Sequence, residues 1–118
     1  PVGGYSRDSL CNMAADTATY GDNFVANVAG NVVSEEDNVR AVLSKVALGE
    51  ADAGIVYTSD VTDDVIAIEI PAAVNEIATY PIAPVATGNQ DAAAAYISFI
   101  LSPDGQAILE AYGFIPVD

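Results

Sequence analysis

The chain contains no histidine and no tryptophan, one cysteine, one methionine, and three basic residues, Arg7, Arg40 and Lys45. Each scarcity removes a class of chemistry. Without histidine, Ser-His-Asp and Cys-His nucleophilic catalysis in their usual forms are excluded, and most zinc and haem sites go with them. Three cations stand against 17 carboxylates, for a formal net charge of −14. A phosphate backbone requires clustered Lys and Arg, so nucleic acid is not an expected partner, and an anionic membrane surface is disfavoured for the same reason. One cysteine, Cys11, cannot form an intrachain disulfide, and its position in an apolar helical pattern predicts a small buried hydrophobe. No stretch approaches the ~20 apolar residues of a membrane span, so no membrane insertion is expected of this chain. A signal peptide is missing too, but the chain starts at Pro1 without methionine, so a fragment is expected and export stays open.

What is present is a folded composition. The 118 residues are 52% hydrophobic, enough for one core of ordinary size and too few for two independent domains. The acidic excess fits either a salt-adapted or simply a very soluble surface, and identifies no substrate. Leu10, Met13 and Ala14 predict a helix over residues 5–15, behind "PVGG". "TATYGDN" reads as turn, and "FVANVAGNVV" as extended structure broken by Gly30. The clearest helix presents Val39, Val42, Leu43, Val46 and Ala47 on one face, with Ser34 or Asp37 as its cap and Gly49 as its stop. Residues 53–57 read as a short buried strand, residues 65–70 as a second, and "EIATYPIAPVA" as a third confined to an edge or crossing position by Pro81 and Pro84. Ala92, Ala95, Tyr96, Phe99 and Ile100 define another helix. The last is capped by Ser102, opens with Pro103, presents Ile108, Leu109 and Tyr112, and stops at Gly113. Strands alternating with helices predict an α/β fold with a mixed sheet flanked by helices.

Little catalytic chemistry survives. No G-x-G-x-x-G or G-x-x-x-x-G-K-[ST] spacing occurs, and "SDVTDD" lacks the alternate ligands, central glycine and terminal glutamate of a calcium loop. Paired carboxylates for glycoside hydrolysis are available, but no pair stands out and aromatic platforms are scarce. An enzyme is not expected, nor a cofactor or a metal held directly by side chains. Recognition by neutral donors remains. Helices opening at "PVGGY" and "SEEDNVR" leave unpaired N–H groups at the positive end of the helix dipole, which suit an anion without any formal positive charge. Such helix starts also occur in α/β proteins that bind nothing. Tyr57 is either a packing residue at a strand end or a phenolic donor to the same place.

Three segments carry a resemblance. "PVGGYSRDSL" resembles the P-x-G-x-Y segment of periplasmic molybdate-binding proteins, the substrate-binding components of molybdate ABC transporters. "EDNVRAVLSKVALGEADAGIVYTSDV" looks like that family's most characteristic stretch, and the eighteen-residue step from Val39 to Tyr57 matches the step between two of its ligand-contacting positions. The tail "YPIAPVATGNQDAAAAYISFILSPDGQAILEAYGF" is similar to the family's C-terminal portion.

The resemblance implies a periplasmic-binding-protein type II-like lobe, apparently truncated, in which residues 1–78 form most of the second ligand-binding lobe. Residues 79–118 would be the return segment and C-terminal helices, belonging partly to the first lobe. It further implies capture of a tetrahedral oxyanion, molybdate or tungstate, outside the cytoplasm for an ABC permease. Val2 and Val39 would offer backbone N–H groups and Tyr57 its hydroxyl; where the family often has alanine, this chain has Val2. Two serine hydroxyls expected in the first lobe lie outside this chain. The alternatives are a receptor for another oxyanion such as sulfate or phosphate, and a structural piece that binds nothing. Unpaired sheet edges left by truncation also predict self-association.

Overall fold

A computed structural model describes residues 1–117. The described residues form six α-helices: α1 (Val2–Ala15), α2 (Thr17–Tyr20), α3 (Phe24–Gly30), α4 (Val39–Ala47), α5 (Gln90–Ile100) and α6 (Pro103–Ala111). A 3-10 turn spans Thr58–Asp60. Internal contacts divide the chain into two units, residues 1–78 and 79–118.

In the first unit, the helix ends follow from local chemistry. Asn38 has extended φ and ψ of −154° and 159°, and its side-chain oxygen accepts from the Ala41 N–H at 3.0 Å, so Asn38 caps α4, not Ser34 or Asp37 as expected. Gly49, at φ 73°, ends the helix as predicted: its N–H donates to the Val46 carbonyl at 3.0 Å and that of Glu50 to the Lys45 carbonyl at 2.8 Å. This is the Schellman pattern, which glycine adopts without a Cβ penalty. α1 starts three residues earlier than expected, at Val2, because the Pro1 carbonyl accepts from Gly4 and Tyr5. α2 is one turn in the stretch read as loop, capped by the Asp16 carboxylate accepting from the Thr19 N–H at 3.2 Å.

Residues 24–30, expected to be extended, are helical. Phe24, Val25 and Val28 are half-buried on one face, and the Phe24 ring packs on Tyr20 at 5.2 Å. Gly30 is the last residue of this helix and interrupts no strand.

The largest difference is the sheet. Segments 53–57, 65–70 and 76–86 lie outside helices, and no strand forms among the described residues. β-type composition supplies a side-chain pattern, but a strand exists only through a partner's ladder bonds and cross-strand contacts. Ile66 and Ile68, which would cover one sheet face, are 91% and 89% exposed. The expected core is correspondingly small: among the described residues the buried hydrophobics are Met13 and Val74. Cys11 is exposed, contrary to expectation. The buried face of α1 carries Ser9 and Met13, and Cys11, two residues from each, projects on the far side.

In the second unit, Ser102 caps α6 by accepting from the Gly105 N–H at 3.2 Å, with Pro103 opening the helix, as predicted. Gly113, at φ 84°, ends it in a second Schellman pattern with Phe114 donating to the Leu109 carbonyl at 3.2 Å. α5 and α6 join closely at Gly105, where a Cβ would strike the carbonyl oxygens of Phe99 and Ile100. The Gln106 side chain ties this corner to the tail, donating to the Ile100 carbonyl at 2.7 Å and accepting from the Val117 N–H at 2.8 Å. The half-buried positions of α5 are Ala93, Ile97 and Ile100; Tyr96 and Phe99, expected on the inner face, are exposed.

Two glycines are therefore set by close approach. Gly105→Ala should lower the unfolding free energy by about 1–3 kcal/mol, the cost of overpacking a fixed backbone. Gly54→Ala should act in the same sense, since a Cβ there meets Val42 Cγ1 at 2.5 Å and Val46 Cγ2 at 3.2 Å. Gly4→Ala, in open space within α1, should be neutral or stabilising by about 0.5–1 kcal/mol. Urea unfolding of the three variants checks the order.

Candidate functional site

The site is built by a chain reversal. After Gly49 the chain turns back beside α4, and the missing side chain at Gly54 lets its backbone approach Val42 and Val46. An extended residue advances about 3.3 Å and a helical one 1.5 Å. Three residues beyond Gly54 therefore carry Tyr57 to the level of Val39, at the start of α4.

α1 is held beside the same segment from its other end. The buried Ser9 hydroxyl accepts from the Glu76 N–H at 3.1 Å. The Asn12 side-chain amide donates to the Glu76 carboxylate at 2.9 Å and to the Val74 carbonyl at 3.4 Å. A hollow of about 50 Å³ separates Val2, Tyr5, Ser6 and Ser9 of α1 from residues 55–57. The start of α1 thus comes to lie next to Tyr57.

Where these parts meet there is a larger cleft of about 290 Å³, lined by Val2 and Gly3 of α1, by Glu36, Asp37, Asn38 and Val39 before and at the start of α4, by Tyr57, and by Pro1. All three residues singled out in the sequence, Val2, Val39 and Tyr57, border it, and each is partly buried. Residues 39 and 40 precede the first intrahelical bonds of α4, in which Val42 donates to the Asn38 carbonyl and Ala41 to the Asn38 side chain. Val2 and Gly3 occupy the same positions in α1, which has no side-chain cap. Two helix starts therefore bring their positive dipole ends to one cleft.

Sequence reasoning missed the carboxylates here. Glu36 and Asp37 line the cleft, and Glu36 is paired: Lys45 Nζ lies 2.6 Å from its Oε1. Lys45 also donates to the Ser34 hydroxyl at 2.9 Å, and Ser34 donates to Glu36. Hydrogen bonds from Lys45 and then Ser34 hold the Glu36 carboxyl below its ordinary value, and the bond to Glu36 holds Lys45 above its own. The pair is accordingly charged on both sides across the neutral range. The signal for this network was the spacing of Ser34 and Glu36 from Lys45, the sole lysine. Among the described residues no cluster of His, Cys, Asp and Glu is arranged to hold a metal, and no helix is long and apolar enough to cross a membrane.

The chain was compared with known proteins. It is 39% identical over 88 residues to the molybdate-binding protein ModA of Mycobacterium bovis and to those of two strains of Mycobacterium tuberculosis, an alignment covering 71% of this chain and 34% of each relative. The matched region thus spans about a third of the length of those curated relatives. No solved structure matches. The model of the family described as bacterial extracellular solute-binding protein matches residues 1–115, nearly the whole chain, so this protein belongs to that family of binding proteins.

Proposed function

We propose that the cleft is part of a receptor site for a tetrahedral oxyanion, molybdate or tungstate, in an extracytoplasmic protein that delivers its cargo to an ABC permease. The observation that carries this reading is the meeting of two helix starts and Tyr57 in one cleft of a solute-binding-family chain. The similarity to molybdate-binding proteins supports molybdate as the anion. Backbone N–H groups of Val2 and Val39 and the Tyr57 hydroxyl are the donors. Neutral, preorganised donors satisfy an oxyanion without a buried counter-charge, so a chain of net charge −14 is compatible with anion capture. The reading calls for no cofactor and no metal coordinated by side chains, since the molybdenum or tungsten arrives inside its oxygen shell.

In this reading residues 1–78 supply most of the second lobe of a two-lobed receptor, and residues 79–118 the return segment and helices shared with the first. The protein works in the periplasm or on the outer face of the cell membrane, where the permease receives the anion.

Calorimetry of the full-length protein with molybdate, tungstate and sulfate tests the proposal. Micromolar or tighter binding of the first two is expected. Tight binding of sulfate alone would make it a receptor for a different oxyanion, and no binding of any would leave a structural domain. Residues 1–118 alone should bind weakly, having one lobe's donors only. They should also self-associate in light scattering, because Val33, Ile66 and Ile68 stand in solvent at 77%, 91% and 89% exposure; a clean monomer at high concentration would contradict this.

In the full-length protein Tyr57→Phe should weaken molybdate binding by about 1–2 kcal/mol, the scale of one hydrogen bond to a charged group, with the fold intact. Asp37→Asn should act oppositely. Removing one exposed carboxylate from the cleft should tighten binding by roughly two- to fivefold at low ionic strength, and the gain should shrink as salt is added.

A further inference from the structure

The cleft assigned to an anion is lined by two carboxylates, Glu36 and Asp37. An ionised carboxylate there opposes the entry of a dianion, and only one of the two has a cation against it. Lys45, in the last turn of α4, reaches Glu36 Oε1 at 2.6 Å and the Ser34 hydroxyl at 2.9 Å, while Ser34 donates to the same carboxylate oxygen. These three side chains close a ring over the segment that leads from Ser34 to the Asn38 cap. Glu36 is 20% exposed and Lys45 36%, so the pair sits at the surface and adds little to folding. What it changes is the electrostatic potential beside the cleft. A lone carboxylate presents a full charge to the anion, whereas a contact pair presents a dipole whose field falls off faster with distance.

On the oxyanion reading of the cleft, we infer that Lys45 is a positioning residue for anion binding. It neutralises Glu36 from outside the cleft, so that of the two carboxylates lining the cleft Asp37 alone faces the ligand without a paired cation. The lysine does not touch the anion. It acts through Glu36, and its removal is harmful only while Glu36 is charged. A purely structural strap would behave differently, because cutting either side of it would be equally damaging.

The test titrates molybdate into the full-length protein at low ionic strength, comparing wild type, Lys45→Met, Lys45→Arg and the Lys45→Met/Glu36→Gln double variant, each checked for folding by circular dichroism. Lys45→Met should bind about fivefold more weakly, the scale of one added charge a few ångströms away in high dielectric, and the loss should fade in salt. Lys45→Arg should keep affinity within about twofold, and the double variant should return to near the wild-type value. Unchanged affinity in Lys45→Met, or a double variant as weak as the single one, overturns the inference while leaving the receptor reading intact. A wild-type protein that binds neither molybdate nor tungstate overturns the receptor reading, and the inference with it.

Discussion

The contact between the Gly54 backbone and the side chains of Val42 and Val46 sets the geometry on which the cleft depends. It brings the returning chain against α4 and fixes how far along that helix each residue of 53–57 can lie. Helical and extended segments advance at different rates, so one close contact and one turn at Gly49 suffice to bring Tyr57 level with the helix start. The eighteen-residue step from Val39 to Tyr57 is, in this sense, a length measured along two kinds of backbone. The hydrogen bonds from Asn12 and to Ser9 do the corresponding work for α1, seating its first turn on the opposite side of the cleft.

As the proposed oxyanion receptor, the chain would face an electrostatic problem with very few cations. Three basic residues cannot line an anion site and also balance 17 carboxylates. In the proposed site peptide dipoles and a phenol would supply the local positive potential, while the Glu36–Lys45 ion pair forms beside the cleft. Backbone donors suit this task because the fold orients them before any ligand arrives, and their number is unaffected by surface composition. In that reading the net charge would act on the rate of anion encounter, through long-range repulsion that salt screens, more than on the bound state.

The features legible in the sequence were those decided within a few residues. The stop at Gly49, the Ser102 and Pro103 start, the stop at Gly113 and the apolar face of α4 each depend on local backbone chemistry, and each was readable. Val2, Val39 and Tyr57 were singled out by family resemblance, and what spacing alone supplied was the distance between the last two. Residues 24–30 were misread because Phe and Val favour extended backbone, while the contact of Phe24 with Tyr20 favours helix. The mixed sheet is not seen among the described residues: alternation describes a face, and a ladder needs a second strand that no local pattern guarantees. Asn38 was passed over for Ser34 and Asp37, although it stands directly before the first helical residue. Glu36 escaped notice because its importance lies in a partner nine positions on.

The pairing of Glu36 with the sole lysine has a use beyond electrostatics. Reagents that modify amines would meet one side chain in this sequence, and that side chain is bonded to Glu36, which lines the cleft. A carbon-13 methyl group introduced at Lys45 by reductive methylation keeps the positive charge and contributes a single side-chain signal to a magnetic resonance spectrum. Its chemical shift would follow the state of the neighbouring carboxylate directly, giving the molecule a built-in reporter one contact away from the cleft.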